Sequence, residues 1–194
     1  MRFLFLFHNF NCNLIFDSLF LNLNKKFLNP MRFNVNITGE FENIKGLSIE
    51  QKYYIDVQCG ACNTVHPKLI FIAEENWNHM KNKRLSGNKK EAFNVVMKCR
   101  NCENEMGIDV FEPEEQFEFE EKHFAPVTND KCNISTIVSD SAIVKNVDGL
   151  ILDVLSVENS IFKNCSFDKR TLAEEDTNGK VVDILKFNIE VEQV

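Results

Sequence analysis

The chain has 194 residues, 44% hydrophobic and 26% charged, a composition that suits one medium domain or two small ones with a sizeable core. Its formal charge is -7 and its pI about 5.2, which argues against a broad phosphate-binding surface, because nucleic-acid binders carry a basic footprint. No run reaches the roughly 18 apolar residues of a membrane-spanning helix. Seven cysteines, only four of them regularly spaced, do not make the even framework of a small secreted scaffold, so a reducing, cytoplasmic setting is expected.

Residues 1–30 hold seven Phe, seven Leu and six Asn, a low-complexity composition. His8, Asn9, Asn11 and Asn13 interrupt the apolar stretch that a secretory signal needs, and no small-residue cleavage site follows. The segment reads as a leader outside the fold, with the folded chain starting near Met31.

From Met31 onward, period-2 alternation recurs and helical periodicity is scarce, which predicts a mainly β chain. Phe33, Val35 and Ile37 alternate before Gly39; Tyr53, Ile55 and Val57 alternate before Cys59; Leu69 and Phe71 follow Pro67. A polar stretch then predicts a short helix around Trp77 and a loop about Ser86-Gly87-Asn88. Phe93, Val95 and Met97 lead into Cys99, and Met106, Ile108 and Val110 lead away from Cys102. Farther on, Ile134, Thr136 and Val138 share a face, and LILDVLSVENSIF at 150–162, apolar at mixed spacing, reads as strand. The last run places Val181, Leu185, Phe187, Ile189 and Val191 on one face, interrupted by Asp183. FENIKGL at 41–47 is echoed by VKNVDGL at 144–150, matching Asn43 with Asn146 and Gly46 with Gly149, as a duplicated β unit would.

The chemistry sits in CGAC, at Cys59 and Cys62, and CRNC, at Cys99 and Cys102. Each first cysteine is in phase with the apolar face of the strand that enters it, so the two turns are one construction used twice. Gly60 tolerates the backbone angles of the first turn, and Asn101 tolerates positive φ in the second. Four such thiolates suit a closed tetrahedral site for one Zn²⁺, a soft-ligand set that fits zinc better than a hard cation. Lys98 and Arg100 stand ready to offset part of its net charge of -2. The 36 residues between Cys62 and Cys99 are a long insertion, but loop-closure entropy grows only logarithmically with length.

The alternative is redox chemistry, which needs an acidified thiol, often at a helix N-terminus; here the residues after Cys62 read as strand. A catalytic thiol at Cys165, in FKNCSF, is the other form of that alternative, while Cys132 reads as an ordinary thiol. His66 is a packing or surface histidine rather than a ligand. Lys81, Lys83, Arg84, Lys89 and Lys90 make a solvated basic loop without the aromatic interleaving of a nucleic-acid site. The acidic run 112–121, with Phe117 and Phe119 interleaved, reads as a strand or connection with its charged side in water.

The strand-turn NVNITGEFENI, the aromatic entry KYYIDVQCGAC and the approach to VMKCRNC together resemble the eukaryotic CXXC-motif-containing zinc-binding proteins, a family long catalogued as of unknown function. The resemblance spans roughly residues 31–110. It implies zinc on Cys59, Cys62, Cys99 and Cys102 and a mainly β fold of two related lobes, sandwich or barrel-like. The expected organisation is a zinc-binding lobe at 31–126 with a second lobe at 127–194 packed on it. The expected function is non-enzymatic zinc binding by a monomer, acting through a protein partner or in zinc handling, with neither nucleic acid nor membrane involved.

Overall fold

The computed structural model describes residues 30–76, 78–84, 90–166 and 174–194, with backbone alone for 79–84, 90, 91 and 166. The leader at 1–29, Trp77, the loop at Ser86-Gly87-Asn88 and Lys89 lie outside the described residues.

The alternating runs form strands where their pattern places them. The first half contributes β1 (Met31–Glu42), β2 (Ile44–Ile49), β3 (Lys52–Cys59), β4 (Ile70–Ala73), β5 (Asn78–Arg84), β6 (Lys90–Phe93), β7 (Val95–Lys98) and β8 (Glu105–Phe111). A short hairpin, β9 (Phe117–Phe119) and β10 (Lys122–Pro126), follows. The second half contributes β11 (Lys131–Asp140), β12 (Ala142–Asp148), β13 (Ile151–Ser156), β14 (Ile161–Ser166), β15 (Glu174–Glu175) and β16 (Val181–Gln193). Among the described residues there is no helix: the segment after Trp77 is β5, paired with β6.

A six-stranded antiparallel sheet runs in the order β15-β16-β1-β11-β8-β7. Two smaller sheets flank it, β14-β13-β2-β10-β9 and β12-β3-β4. Exchanging β1 with β11, β8 with β16 and β7 with β15 returns the six-stranded order unchanged. The same exchange, with β2 for β12, β3 for β13 and β4 for β14, turns β12-β3-β4 into β2-β13-β14. The fold is therefore two related β units about a local two-fold centre between β1 and β11. At that centre the register shifts between Val35 and Asn36, and Asn133 Nδ2 donates to Asn36 Oδ1 at 3.1 Å.

In each unit one residue with positive φ carries the chain from the central sheet into a flanking one, Asn43 (φ 54°) after β1 and Ser141 (φ 64°) after β11. Asn43 thus corresponds to Ser141, not to Asn146, and the echo between 41–47 and 144–150 does not match equivalent positions. Gly46 lies within β2, whereas Gly149 (φ 71°) makes the turn after β12. The two units exchange strands. β2 leaves the first unit to pair with β13, and β12 leaves the second to pair with β3. Each unit's three-stranded ladder is completed by the other's strand, and residues 31–194 form one contact unit.

One hydrophobic cluster joins Val35, Leu47, Ile55 and Val57 to Val144, Val154, Val182 and Ile184, all buried. Each such side chain contributes roughly 1.5–3 kcal/mol of burial. β11, in the middle of the central sheet, is buried on both faces, so Ser135, Ile137 and Ser139 are covered as well as Ile134 and Thr136. A buried polar chain crosses this core. Tyr53 Oη lies 2.7 Å from Ser135 Oγ, which donates to Gln51 Oε1 at 2.6 Å, and Gln51 Nε2 donates to Ile134 O at 3.0 Å.

Two strands differ from their expected faces. In β4 the buried residues are Ile72 and Ala73, while Leu69 and Phe71 are exposed. In β16 the apolar residues buried before Lys186 are Val182 and Ile184, with Asp183 buried between them and Val181 and Leu185 outside. A positive φ at Lys186 (55°), beside the register shift between Thr38 and Glu40, then turns Phe187, Ile189 and Val191 toward the core. A bulge resets which parity faces inward, and simple alternation does not foresee it.

Candidate metal centre

The two CxxC turns are the tips of two hairpins. β3 reverses through residues 59–64, closed by an antiparallel bridge between Gln58 and Val65. β7 and β8 reverse through 99–104, closed by the Lys98–Glu105 pair. Inside the tips the bonding is duplicated. Cys59 N donates to Thr64 O (2.9 Å) and Asn63 N to Cys59 O (2.8 Å); Cys99 N donates to Asn104 O (2.9 Å) and Glu103 N to Cys99 O (3.0 Å).

The left-handed residue in each tip follows the second cysteine: Asn63 (φ 60°) and Glu103 (φ 57°). Neither Gly60 nor Asn101 has that role. Gly60 instead keeps close quarters with β11's end: its N–H donates to Ser141 O at 2.9 Å, and a Cβ there would lie 3.2 Å from the same oxygen, a tight contact. Asn63 was legible as a left-handed residue from its type; Glu103 carried no such signal.

All four Sγ atoms of Cys59, Cys62, Cys99 and Cys102 lie within 4.8 Å of one another. Cys59 Sγ is 3.7 Å from Cys102 Sγ, and Cys62 Sγ is 3.5 Å from Cys99 Sγ. A tetrahedron with Zn–S of about 2.3 Å has an S···S edge of about 3.8 Å, so the donor set and its spacing both fit zinc. The first cysteine of each pair is buried, Cys62 is half-buried and Cys102 exposed.

Thr64 holds the Cys62 thiol down to about 6 through its hydroxyl, 3.2 Å from Sγ, and its backbone. Cys102 is pushed up to about 12: the backbone donor of Asn104 favours its thiolate, but Cys62, desolvation, Cys99 and Cys59 together outweigh it. Four sulfurs this close do not all ionise without a cation among them. Lys98 and Arg100, expected to offset charge here, are both exposed.

The remaining sequence candidates stand apart from this cluster. His66 Nδ1 lies 2.8 Å from Lys68 O, and its ring is not part of the sulfur cluster. Cys165 is half-buried in β14, 3.5 Å from Phe162 O, and desolvation, with Asp153 and Glu174 nearby, pushes its thiol up to about 11. Burial pushes Cys132 up to about 12 against a backbone donor at Leu47. Both shifts suppress the thiolate that a nucleophile needs. Lys81, Lys83 and Arg84 lie on β5 and Lys90 on β6, so the expected basic loop is in good part a hairpin. In the acidic run, Phe117 and Phe119 lie on β9, with Lys45 Nζ 5.3 and 5.7 Å from their ring centroids.

Known proteins resemble this chain in sequence and in fold. An uncharacterized protein of Encephalitozoon cuniculi is 26% identical over 175 residues, covering 84% of this chain and 98% of that one. The crystal structure of C1orf123 superposes with a TM-score of 0.67 at 15% identity, covering 84% of this chain and 99% of that one. A hypothetical protein from Plasmodium falciparum gives 0.63 at 11% identity, covering 83% and 99%. These two show a common fold. The model of the CXXC motif containing zinc binding proteins of eukaryotes matches residues 34–192, a span that takes in both CxxC hairpins and both β units. With four cysteines gathered at zinc-binding distance inside that span, the chain belongs to the eukaryotic CXXC-motif-containing zinc-binding protein family.

Proposed function

We propose that the protein holds one Zn²⁺ on Cys59, Cys62, Cys99 and Cys102 as a structural tie, and that it works without catalysis, as a cytoplasmic monomer that binds another protein. The observation that carries this reading is the origin of the ligands. Cys59 and Cys62 close a hairpin of the β12-β3-β4 sheet, and Cys99 and Cys102 close one of the six-stranded sheet. Bound zinc would supply the positive charge that lets four thiolates coexist, and so join two sheets at one point. A four-thiolate site leaves no open position for a substrate, unlike catalytic zinc with three protein ligands and a water. The odd cysteine count and the acidity support a reducing compartment and a protein rather than nucleic-acid partner.

The test is metal content and free-thiol count on full-length protein purified reduced and without added zinc. One zinc per chain is expected, with four thiols released by chelation together with loss of β signal. No metal, with two CxxC pairs recovered as disulfides, counts against it and favours a thiol oxidoreductase. The exposure of Cys102 favours a second reading, zinc handling. That reading expects a competing chelator to withdraw the metal while the β signal persists.

A further inference from the structure

The sheet β12-β3-β4 ends on β4, which has no strand on its outer side among those described. Glu74 N donates to Gln51 O at 3.0 Å, and the register pairs Tyr53 with Ile72, Tyr54 with Phe71 and Ile55 with Ile70. Hydrogen-bonded and non-bonded pairs alternate in an antiparallel ladder. Tyr53–Ile72 and Ile55–Ile70 are therefore the bonded pairs, and the N–H and C=O of Phe71 turn away from β3. They present a donor and an acceptor at an open edge.

The side chains along this edge are equally open. Phe71 is 47% exposed and Tyr54 46%, their ring centroids 5.4 Å apart. Leu69 and Val65 are exposed beside them, so four of the ten exposed large hydrophobics of the described residues belong to this one hairpin. Protected edges carry charge, proline or a bulge. Here Pro67 and Lys68 guard only the approach, and 69–73, LIFIA, carries none.

The surroundings are acidic. Asp148 is the cross-strand partner of Tyr54, and Asp56 follows on the same face. Glu74 and Glu75 lead from β4 into an open hollow of about 460 Å³ lined also by Glu50, Glu112 and Glu121. The hollow's two lysines are already engaged, Lys52 by Glu50 and Lys122 by Asp153.

We propose that β4 is the docking edge for an extended, basic segment of a partner protein, which adds to the sheet as a fourth strand. Its backbone pairs with Phe71, and its outward arginines or lysines lie over the rings of Phe71 and Tyr54 toward the carboxylates. This names the surface for the protein-binding reading above and rests on it.

The experiment uses full-length zinc-loaded protein and two capped peptides, Arg-Ile-Arg-Val-Arg-Val and Glu-Ile-Glu-Val-Glu-Val, followed by amide NMR and hydrogen exchange. The basic peptide is expected to shift and protect the Leu69 and Phe71 amides, with binding that weakens as salt is raised. Phe71→Pro removes the outward N–H while leaving the bonds to β3, and it is expected to cut affinity at least tenfold. Phe71→Lys, should the proline variant fold poorly, is expected to do the same by charge. Equal binding of the acidic peptide, protection elsewhere than β4, or undiminished binding by both variants overturns the proposal. So does concentration-dependent dimerisation through this edge that Phe71→Pro abolishes, which assigns the edge to a second copy of the chain. Zinc content is measured on each sample. Full zinc without peptide binding defeats the docking edge alone, and absent zinc defeats the metal reading.

Discussion

Burial holds the Cys132 thiol and the Tyr53 phenol in their protonated forms, the first up to about 12 and the second above its ordinary range despite the bond to Ser135. A group whose pKa is raised by folding contributes stability below its unfolded value and loses it as pH climbs toward the folded one. Stability should therefore fall from pH about 9 upward for Cys132 and from about 10 upward for Tyr53, by about 1.4 kcal/mol per pH unit for each group. Urea melts at a series of alkaline pH values measure it, and Cys132→Ala should be less stable at neutral pH but lose stability less steeply above 9. Among the other cysteines the roles divide sharply. Cys59→Ser should abolish zinc retention and collapse the melting transition, since such sites are worth on the order of 10 to 16 kcal/mol. Cys165→Ala, at a half-buried site apart from the cluster, should keep full zinc and change stability by about 1 kcal/mol or less. At this scale the sulfur cluster was the most legible part of the molecule, because spacing and strand phase both marked Cys59, Cys62, Cys99 and Cys102. The left-handed backbone at Glu103 was not, because it depends on the hairpin's closure rather than on residue type.

Asn94 decides how one long alternating run becomes two strands. It interrupts Phe93 and Val95, and its buried side chain donates to Glu74 O and Asn76 O at 2.8 and 2.9 Å while accepting from Val110 N at 2.8 Å. Asn94→Ala would leave three backbone groups without that partner, and a loss on the order of 3 kcal/mol is expected in denaturant melts. Gly107 in β8 lies under the Phe93 ring, where a Cβ would come within 2.6 Å of ring carbons. Gly107→Ala should cost about 1–3 kcal/mol by displacing that ring. Strand positions were legible in the sequence because period 2 survives over short runs. The inward parity of β4 and β16 was not: Leu69 and Ile70 are both apolar, so composition could not choose between them, and the bulge at Lys186 depends on a partner strand in the other half of the chain.

The two-fold arrangement of β units was foreshadowed by a sequence echo, yet the echo paired the wrong residues. Equivalent strands share a path and a pairing pattern, not a residue pattern, and the exchange of β2 and β12 leaves no trace in alternation because period 2 specifies a face but not a neighbour. That exchange has a measurable effect. A chain cut between Asn129 and Asp130, the two positive-φ residues of the tight turn before β11, should yield fragments that are unfolded alone and regain β signal and zinc when mixed. Circular dichroism and metal analysis check it; a first fragment that holds zinc and melts cooperatively by itself would contradict the interleaving.

The same interleaving sets an order of events on the ribosome. All four cysteines of the cluster have been synthesised once Cys102 is made, whereas one of the two strands that flank β3 does not exist until 142–148 follows. If the tips bind zinc as proposed, metal capture would be available to the nascent chain before either flanking sheet can be completed. The final sheets must wait for long-range pairing, the slow class of contact in folding. A growing chain that has taken up its ion would carry the tips already joined, so that β12 arrives at a partner whose far end is held in place.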